Sequence, residues 1–224
     1  MGLISPAQLL VWVMRGLAML LAIPVHESAH AWASAKLGDP TAKNMGRLSL
    51  NPMAHFDLLG AVCMIVVGIG WAKPVPVYPQ RYKNPKTGMA LSAAAGPISN
   101  LLLAYLSMML YKLAYYFLPA GMAAELVLYF LYYMVAINVS LAVFNLLPVP
   151  PFDGSRILLL VLPRRLYFQV MQYERQIFIG MFLLLMFGVF DAPLYWLNNG
   201  MWSILNHATA FIDRAVYMAA GIAV

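Results

Sequence analysis

The stretch from Gln8 to Ala35, QLLVWVMRGLAMLLAIPVHESAHAWASA, decides how this chain is read. Its first half is apolar, and the whole stretch exceeds the ~20 residues that cross a bilayer as a helix. Its second half does not turn into a loop. It runs on as helix-compatible sequence into His26-Glu27-Ser28-Ala29-His30 and stops at Gly38-Asp39-Pro40, a glycine-proline stop signal. Arg15 sits inside the apolar run and no small-residue cleavage site comes after it, so a retained helix is expected rather than a removed signal. An apolar helix with an acid and two imidazoles at one end predicts a membrane protein with a polar site at membrane depth. Ionisable residues are expensive there and mark function.

The rest of the chain agrees. Of 224 residues, 63% are hydrophobic and 10% charged, where a soluble domain carries about a quarter charged residues. The mean hydropathy is +0.77. The length leaves room for about four to six spans and no separate soluble domain. The expected architecture is an all-α polytopic membrane protein with a small membrane-associated β or re-entrant element. One domain covers residues 1–224, with a core over about 8–165 and C-terminal helices over about 166–224. Lys and Arg number 14 against 8 Asp and Glu, a net +6. The cations lie mostly in loops between apolar runs, which suits orientation and anionic lipid rather than nucleic acid. Cys63 stands alone, excluding an internal disulfide or a cysteine-based metal site.

Beyond the first helix, Met45 to His55 (MGRLSLNPMAH) predicts a short strand with a turn at Asn51-Pro52. Leu58 to Ala72 is apolar but short and contains Gly60, Gly68 and Gly70. Lys73 to Val77 (KPVPV) allows only an edge strand or extended loop, because proline cannot donate to a ladder. Helices are expected over Gly88 to Phe117 and Met122 to Leu147, joined by a tight turn at Pro119-Ala120-Gly121. Asp153-Gly154 opens a short helix to Leu162. Another spans Gln176 to Phe190, starting near Phe168. Tyr195 to Ala210 reads as a last span or an interfacial helix.

His26 and His30, four apart, share one face of a helix and can bind one zinc ion. Glu27, next to the first histidine, can reach a metal-activated water without ligating. Catalytic zinc takes a third protein ligand and keeps one position open. Asp39 and Asp57 lie in loop-like sequence, Glu125 starts a helix, Glu174 has arginine neighbours, and Asp191 and Asp213 lie near helix ends. Asp153 differs: it comes after a triple-proline break, NLLPVPPFDG, where the chain turns at membrane depth. Such a break is tolerated only if it lines a cavity. Asp153 is therefore the expected third ligand, with an N-cap of the next helix as its other role.

With those residues in view, the chain resembles the site-2 proteases, zinc metalloproteases that cleave within membranes. HESAH, NPMAH with Asp57 just beyond, AAAGPISN from Ala93 to Asn100, and NLLPVPPFDG match in order and rough spacing, over about Val25 to Leu160. No PDZ or CBS domain accompanies them, so the chain resembles a compact, core-only member. The resemblance implies one zinc per chain held by His26, His30 and Asp153, Glu27 as general base and acid, and Asn145 near the site. It implies a membrane-protein substrate with a transmembrane helix, within a lipid bilayer; a homo-oligomer or regulatory partner stays open. Glu27 would take a proton from a zinc-acidified water and later give it to the leaving amine. Asn145 either donates to an oxyanion or bonds within or between helices. His55 either lines the site or bonds loop backbone. Val75 and Val77 either pair with an unwound substrate by β-addition or belong to a rigid loop.

Other readings fit less well. A di-iron bundle needs about four carboxylates, more than the spans carry. A metal transporter would spread polar residues along a pathway, whereas here they converge. A catalytically silent zinc scaffold has no need of Glu27.

The ligands also constrain topology. His26 and His30 near one helix end and Asp153 after another must lie at similar depth on one side. Leu58 to Ala72 is therefore expected to re-enter rather than cross. Lys36, Lys43, Arg47, Lys73, Arg81, Lys83, Lys86, Arg164, Arg165 and Arg175 then share the active-site side, ten of the 14 cations. The positive-inside rule makes that side cytoplasmic, in the plasma membrane of a prokaryote.

Overall fold

A computed structural model describes residues 5–55, 57, 73–158 and 160–221. Among these residues the regular structure is entirely helical. The nine α-helices are α1 (Pro6–Leu37), α2 (Thr41–Asn44), α3 (Pro85–Phe117), α4 (Met122–Asn145), α5 (Asp153–Leu158), α6 (Arg164–Gln172), α7 (Glu174–Met186), α8 (Asp191–Ala208) and α9 (Ala210–Ala219).

The long helices have encoded ends. Ser5 Oγ accepts from the Gln8 N–H at 3.2 Å while Gln8 Oε1 accepts from the Ser5 N–H at 3.0 Å. This reciprocal pair precedes Pro6 at the first helical position. α1 stops at Gly38, whose φ of 117° is open to glycine and strained for other residues. Asn84 caps α3 by accepting from Thr87 N–H at 3.3 Å. The turn between α3 and α4 spans only residues 118–121, so the two helices run antiparallel.

α1, α3 and α4 are long and apolar enough to cross a membrane; α7 and α8, bent 85° apart, count as a fourth span if taken together. That is at or just below the expected four to six. The three long helices pack on one another. Fully buried Ala18, Ala22 and Ala31 let α1 approach closely. Ala104, Met108, Val135, Val139 and Val143 form a core that Leu205 of α8 completes. Leu9, Trp12, Leu17, Leu20, Leu102, Leu106 and Leu110 point outward, as lipid-facing positions must. α9 is tied back to α3, where the buried Lys112 Nζ lies 2.5 Å from Asp213 Oδ2 and Tyr116 O–H donates to Asp213 Oδ1 at 2.9 Å.

The expected strand over Met45 to His55 is absent; a 3-10 turn occupies Pro52–Ala54. The reason lies in where the carbonyls go. Ser49 C=O accepts from both Ser28 Oγ (2.6 Å) and His55 Nε2 (2.8 Å), and Ala54 C=O accepts from Arg47 Nη1 (2.6 Å). Side chains, not a neighbouring strand, satisfy this backbone. Lys73 to Val77 forms no strand, and its alternating prolines keep it extended. The run from Leu58 to Ala72, with Cys63, lies outside the described residues. Its flanks are informative: Lys73 N–H donates to His55 C=O at 2.9 Å, so the chain returns to the place it left.

The helix expected from near Phe168 to Phe190 is two helices, parted at Tyr173. Asp153 is the first residue of its helix rather than the residue before it.

Candidate metal centre

The site is assembled from three elements. α1 supplies His26 and His30, one turn apart, with ring centroids 4.6 Å apart and nearly perpendicular. α5 supplies Asp153 as its first residue. α3 supplies the wall between them.

Each imidazole is oriented by a bond from Nδ1. His30 Nδ1 lies 2.7 Å from Ser92 C=O. A carbonyl only accepts, so Nδ1 carries the proton and Nε2 is bare in the neutral ring. His26 Nδ1 lies 2.5 Å from Asn100 Oδ1, and Asn100 Nδ2 donates to Asn138 Oδ1 at 2.7 Å. The two Nε2 atoms face each other at 3.0 Å. Asp153 Oδ2 stands 3.2 Å from one and 3.3 Å from the other. With both protons on Nδ1, three lone-pair atoms crowd together with no hydrogen between them, and Asp153 Oδ2 is buried without a hydrogen-bond partner. That arrangement is unfavourable unless a cation sits among them.

The spacing suits zinc. A tetrahedral ion with bonds of about 2.0–2.1 Å sets its ligand atoms about 3.3 Å apart. The edges here are 3.0, 3.2 and 3.3 Å. Among the described residues, His26, His30 and Asp153 are the group able to hold a metal. A zinc held by these three residues would keep one position open, the pattern of catalytic rather than structural sites.

Two glycines make the approach feasible. A Cβ on Gly96 would fall 2.6 Å from His26 Cε1 and nearer still to His30 Nε2. A Cβ on Gly154 would collide with the carbonyls of Leu146 and Leu147, so the chain can fold back after the prolines only with glycine next to Asp153. Lys86, in the first turn of α3, donates to the carbonyls of Leu160 and Leu162 at 3.0 and 3.2 Å. It thereby holds the chain just beyond α5.

The other expected residues are not bonded to this cluster. Glu27 is partly exposed beside His26, and its carboxylate has no hydrogen-bond partner among the described residues. Asn145 Nδ2 donates to Leu141 C=O at 2.9 Å, within its own helix. His55 is buried, with Nε2 on the Ser49 carbonyl and Nδ1 unpartnered. Val75 and Val77 are half-buried, and their N–H groups meet no acceptor among the described residues. The three metal-site residues come together; Asn145, His55 and the two valines are not part of that cluster.

Asp39 anchors the extended segment. It is fully buried, accepting from Tyr78 N–H at 2.7 Å, Thr41 N–H at 3.1 Å and Thr41 Oγ1 at 2.5 Å, with Arg81 at 3.5 Å. Burial works against its charge, but these donors outweigh it and hold the carboxyl below the ordinary value of 3.8.

Sequence reasoning reads Ala93 to Pro97, Gly96 included, as small residues for close helix approach, and assigns no role to Asn100, Asn138 or Ser92. Two amides within apolar helices are the available signal.

Comparison with known proteins bears on the site. Residues 113–187 match the model of Peptidase family M50. The chain is 36% identical over 202 residues to "Putative zinc metalloprotease YwhC" of Bacillus subtilis, covering 88% of this chain and 91% of that one. It is 31% identical over 140 residues to "Putative zinc metalloprotease Rip2" of Mycolicibacterium smegmatis, covering 60% and 52%. "Putative zinc metalloprotease MJ0611" of Methanocaldococcus jannaschii is 32% identical over 102 residues, covering 45% and 49%. No solved structure matches.

Proposed function

The chain belongs to peptidase family M50, and on that footing we propose that it is an integral-membrane zinc endopeptidase of the site-2 type, hydrolysing peptide bonds in or near transmembrane segments of other membrane proteins. The observation that carries this reading is the convergence of the His26, His30 and Asp153 ligand atoms at zinc spacing beside Glu27.

In this reading His26 and His30 would hold one zinc through Nε2, and Asp153 would hold it through Oδ2. Zinc, when bound, supplies Lewis acidity that acidifies water and polarises a peptide carbonyl. Glu27 takes the water's proton on its carboxylate and returns it to the leaving amine. A helical substrate hides its peptide bonds and must unwind locally, which favours substrates with glycine or proline near the cut. The extended segment at Val75 and Val77 supports a docking role. It is fixed near its ends by Lys73 N–H on His55 C=O and Tyr78 N–H on Asp39, and the N–H groups of Val75 and Val77, which meet no acceptor among the described residues, could pair with an unwound strand. Asn145, bonded within its helix, would need to rotate before it could contact substrate.

Topology obeys the same logic. Because His55 and Lys73 meet, α1 ends and α3 begins on one side, and α3 and α4 return the chain to it at Asp153. The cation-rich loops share that side, which supports a cytoplasm-facing site in a bacterial plasma membrane.

Purified protein in detergent tests the proposal. Metal analysis should find about one zinc per chain in wild type and in Glu27→Gln. Only the wild type should cleave a panel of single-span substrates, with the variant slowed by about 10²-fold or more. Zinc in both with no cleavage by either would favour a silent zinc-binding scaffold. Absence of zinc from carefully handled wild type would remove the basis of the assignment.

A further inference from the structure

Asn138 is hydrogen-bonded to none of the three ligand residues, yet it is fully buried in an apolar helix, as is Asn100. A buried amide must be hydrogen-bonded or is costly, and the bonds that satisfy these two run in one direction. Asn138 Nδ2 donates to Met134 C=O at 2.7 Å. That carbonyl can only accept, so the amide nitrogen of Asn138 must face it and the amide oxygen must face α3. Asn100 therefore presents Nδ2 to Asn138 Oδ1 (2.7 Å) and Oδ1 to His26 (2.5 Å). Facing an acceptor, His26 must place its proton on Nδ1 and leave Nε2 bare.

We propose that Asn138 and Asn100 form a directional amide relay, anchored on the Met134 carbonyl of α4, that locks His26 in the tautomer able to bind the metal. Both are positioning residues, and the inference rests on the zinc-site reading above. His30 needs no relay, because the Ser92 carbonyl fixes it directly. The two ligands are thus locked by different elements, His30 by α3 backbone and His26 by α3 and α4 side chains. Any change that allows Asn100 to rotate by 180° turns an N–H toward His26 Nδ1. The proton then moves to favour Nε2–H, and the ligand position is blocked.

The relay predicts a pattern that simple packing does not. Asn138→Leu preserves approximate size but leaves Asn100 free to rotate. Asn100→Leu removes the acceptor. Asn100→Asp keeps an acceptor-only group facing His26. Zinc affinity of the purified full chain, measured by competition with a chelator, should fall by about 10- to 100-fold for both leucine variants, the loss typical of an outer-shell partner. It should fall by less than about tenfold for Asn100→Asp. The histidine tautomer of the zinc-free protein, read from ¹⁵N shifts of labelled histidine, should show an Nε2–H population in Asn138→Leu that wild type lacks.

Thermal unfolding of the zinc-free forms separates misfolding from relay loss. If a leucine variant fails to fold, the tautomer population of Asn138→Ser, which keeps a small polar side chain, supplies the same comparison. Folded leucine variants with wild-type affinity and tautomer would overturn the relay. So would equal losses in Asn100→Asp and Asn100→Leu. Wild type that binds no zinc while showing the Nδ1–H tautomer would instead sink the metal-site reading and leave the relay geometry intact.

Discussion

Gly96 lies where α3 passes the two imidazoles, and a Cβ there would overlap both rings. Alanine is the better helix former by about 1 kcal/mol, so Gly96→Ala separates the fold from the site. The helix should keep or gain stability, while zinc affinity drops by about tenfold or more as the rings are pushed apart. Circular dichroism together with metal titration would check it. His26, Glu27 and His30 are legible from spacing alone, because a helix brings positions i and i+4 together whatever surrounds it. Asp153 is legible by elimination, since so few carboxylates remain in an apolar chain. Asn138 is not. Its role depends on a bond to Asn100, and nothing in local sequence states which residues of two antiparallel helices will face each other. The backbone carbonyl of Ser92 is invisible for a simpler reason: its residue type says nothing about its acceptor.

Among the elements, the turn from α4 into α5 carries the greatest constraint. Gly154 leaves no room for a side chain against Leu146 and Leu147, so Gly154→Ala should displace Asp153 and release zinc even though the acid itself is unchanged. Elemental analysis of the purified variant would show it. The extended segment makes a different prediction through Asp39. Its folded carboxyl lies below the ordinary 3.8, so its contribution is fully present above that value and lost as pH falls through the lower folded one. Hydrogen exchange at the Tyr78 amide should therefore accelerate as pH drops below about 4, after correction for intrinsic rates. Asp39→Asn should show the faster exchange at neutral pH. The strand expected over Met45 to His55 fails at this scale. Alternating apolar residues suggest pairing, but Arg47, Ser28 and His55 supply donors to the same carbonyls, and only tertiary contact reveals that.

For the molecule as a whole, the membrane class and the three long helices are legible in the sequence, because apolar length is a local property. The docking of the tail is not, because it rests on long-range contacts, among them those of Asp213 with Lys112 and Tyr116. Lys112 is buried and Asp213 keeps about a quarter of its side-chain surface (27%). Asp213→Asn should cost about 3 kcal/mol or less, the low end for a half-open buried pair, and should free α9 to proteolysis before the rest. Topology gives a sharper test. In a background lacking Cys63, cysteines at Lys43 and Lys83 should react with an impermeant reagent from the same side of the membrane. Opposite accessibility would break the shared-side arrangement that brings His26, His30 and Asp153 together.

The hydrogen bond from Lys73 to His55 has a consequence for how such a chain can evolve. The polypeptide between them departs and rejoins at a single point, so it is spliced into the molecule like a clause between commas. Its two ends are held together by that one bond, so a change of length between them need not translate α1 against α3. Natural variation in length should accumulate between these two positions, while the lengths of the helices that carry the histidines stay fixed.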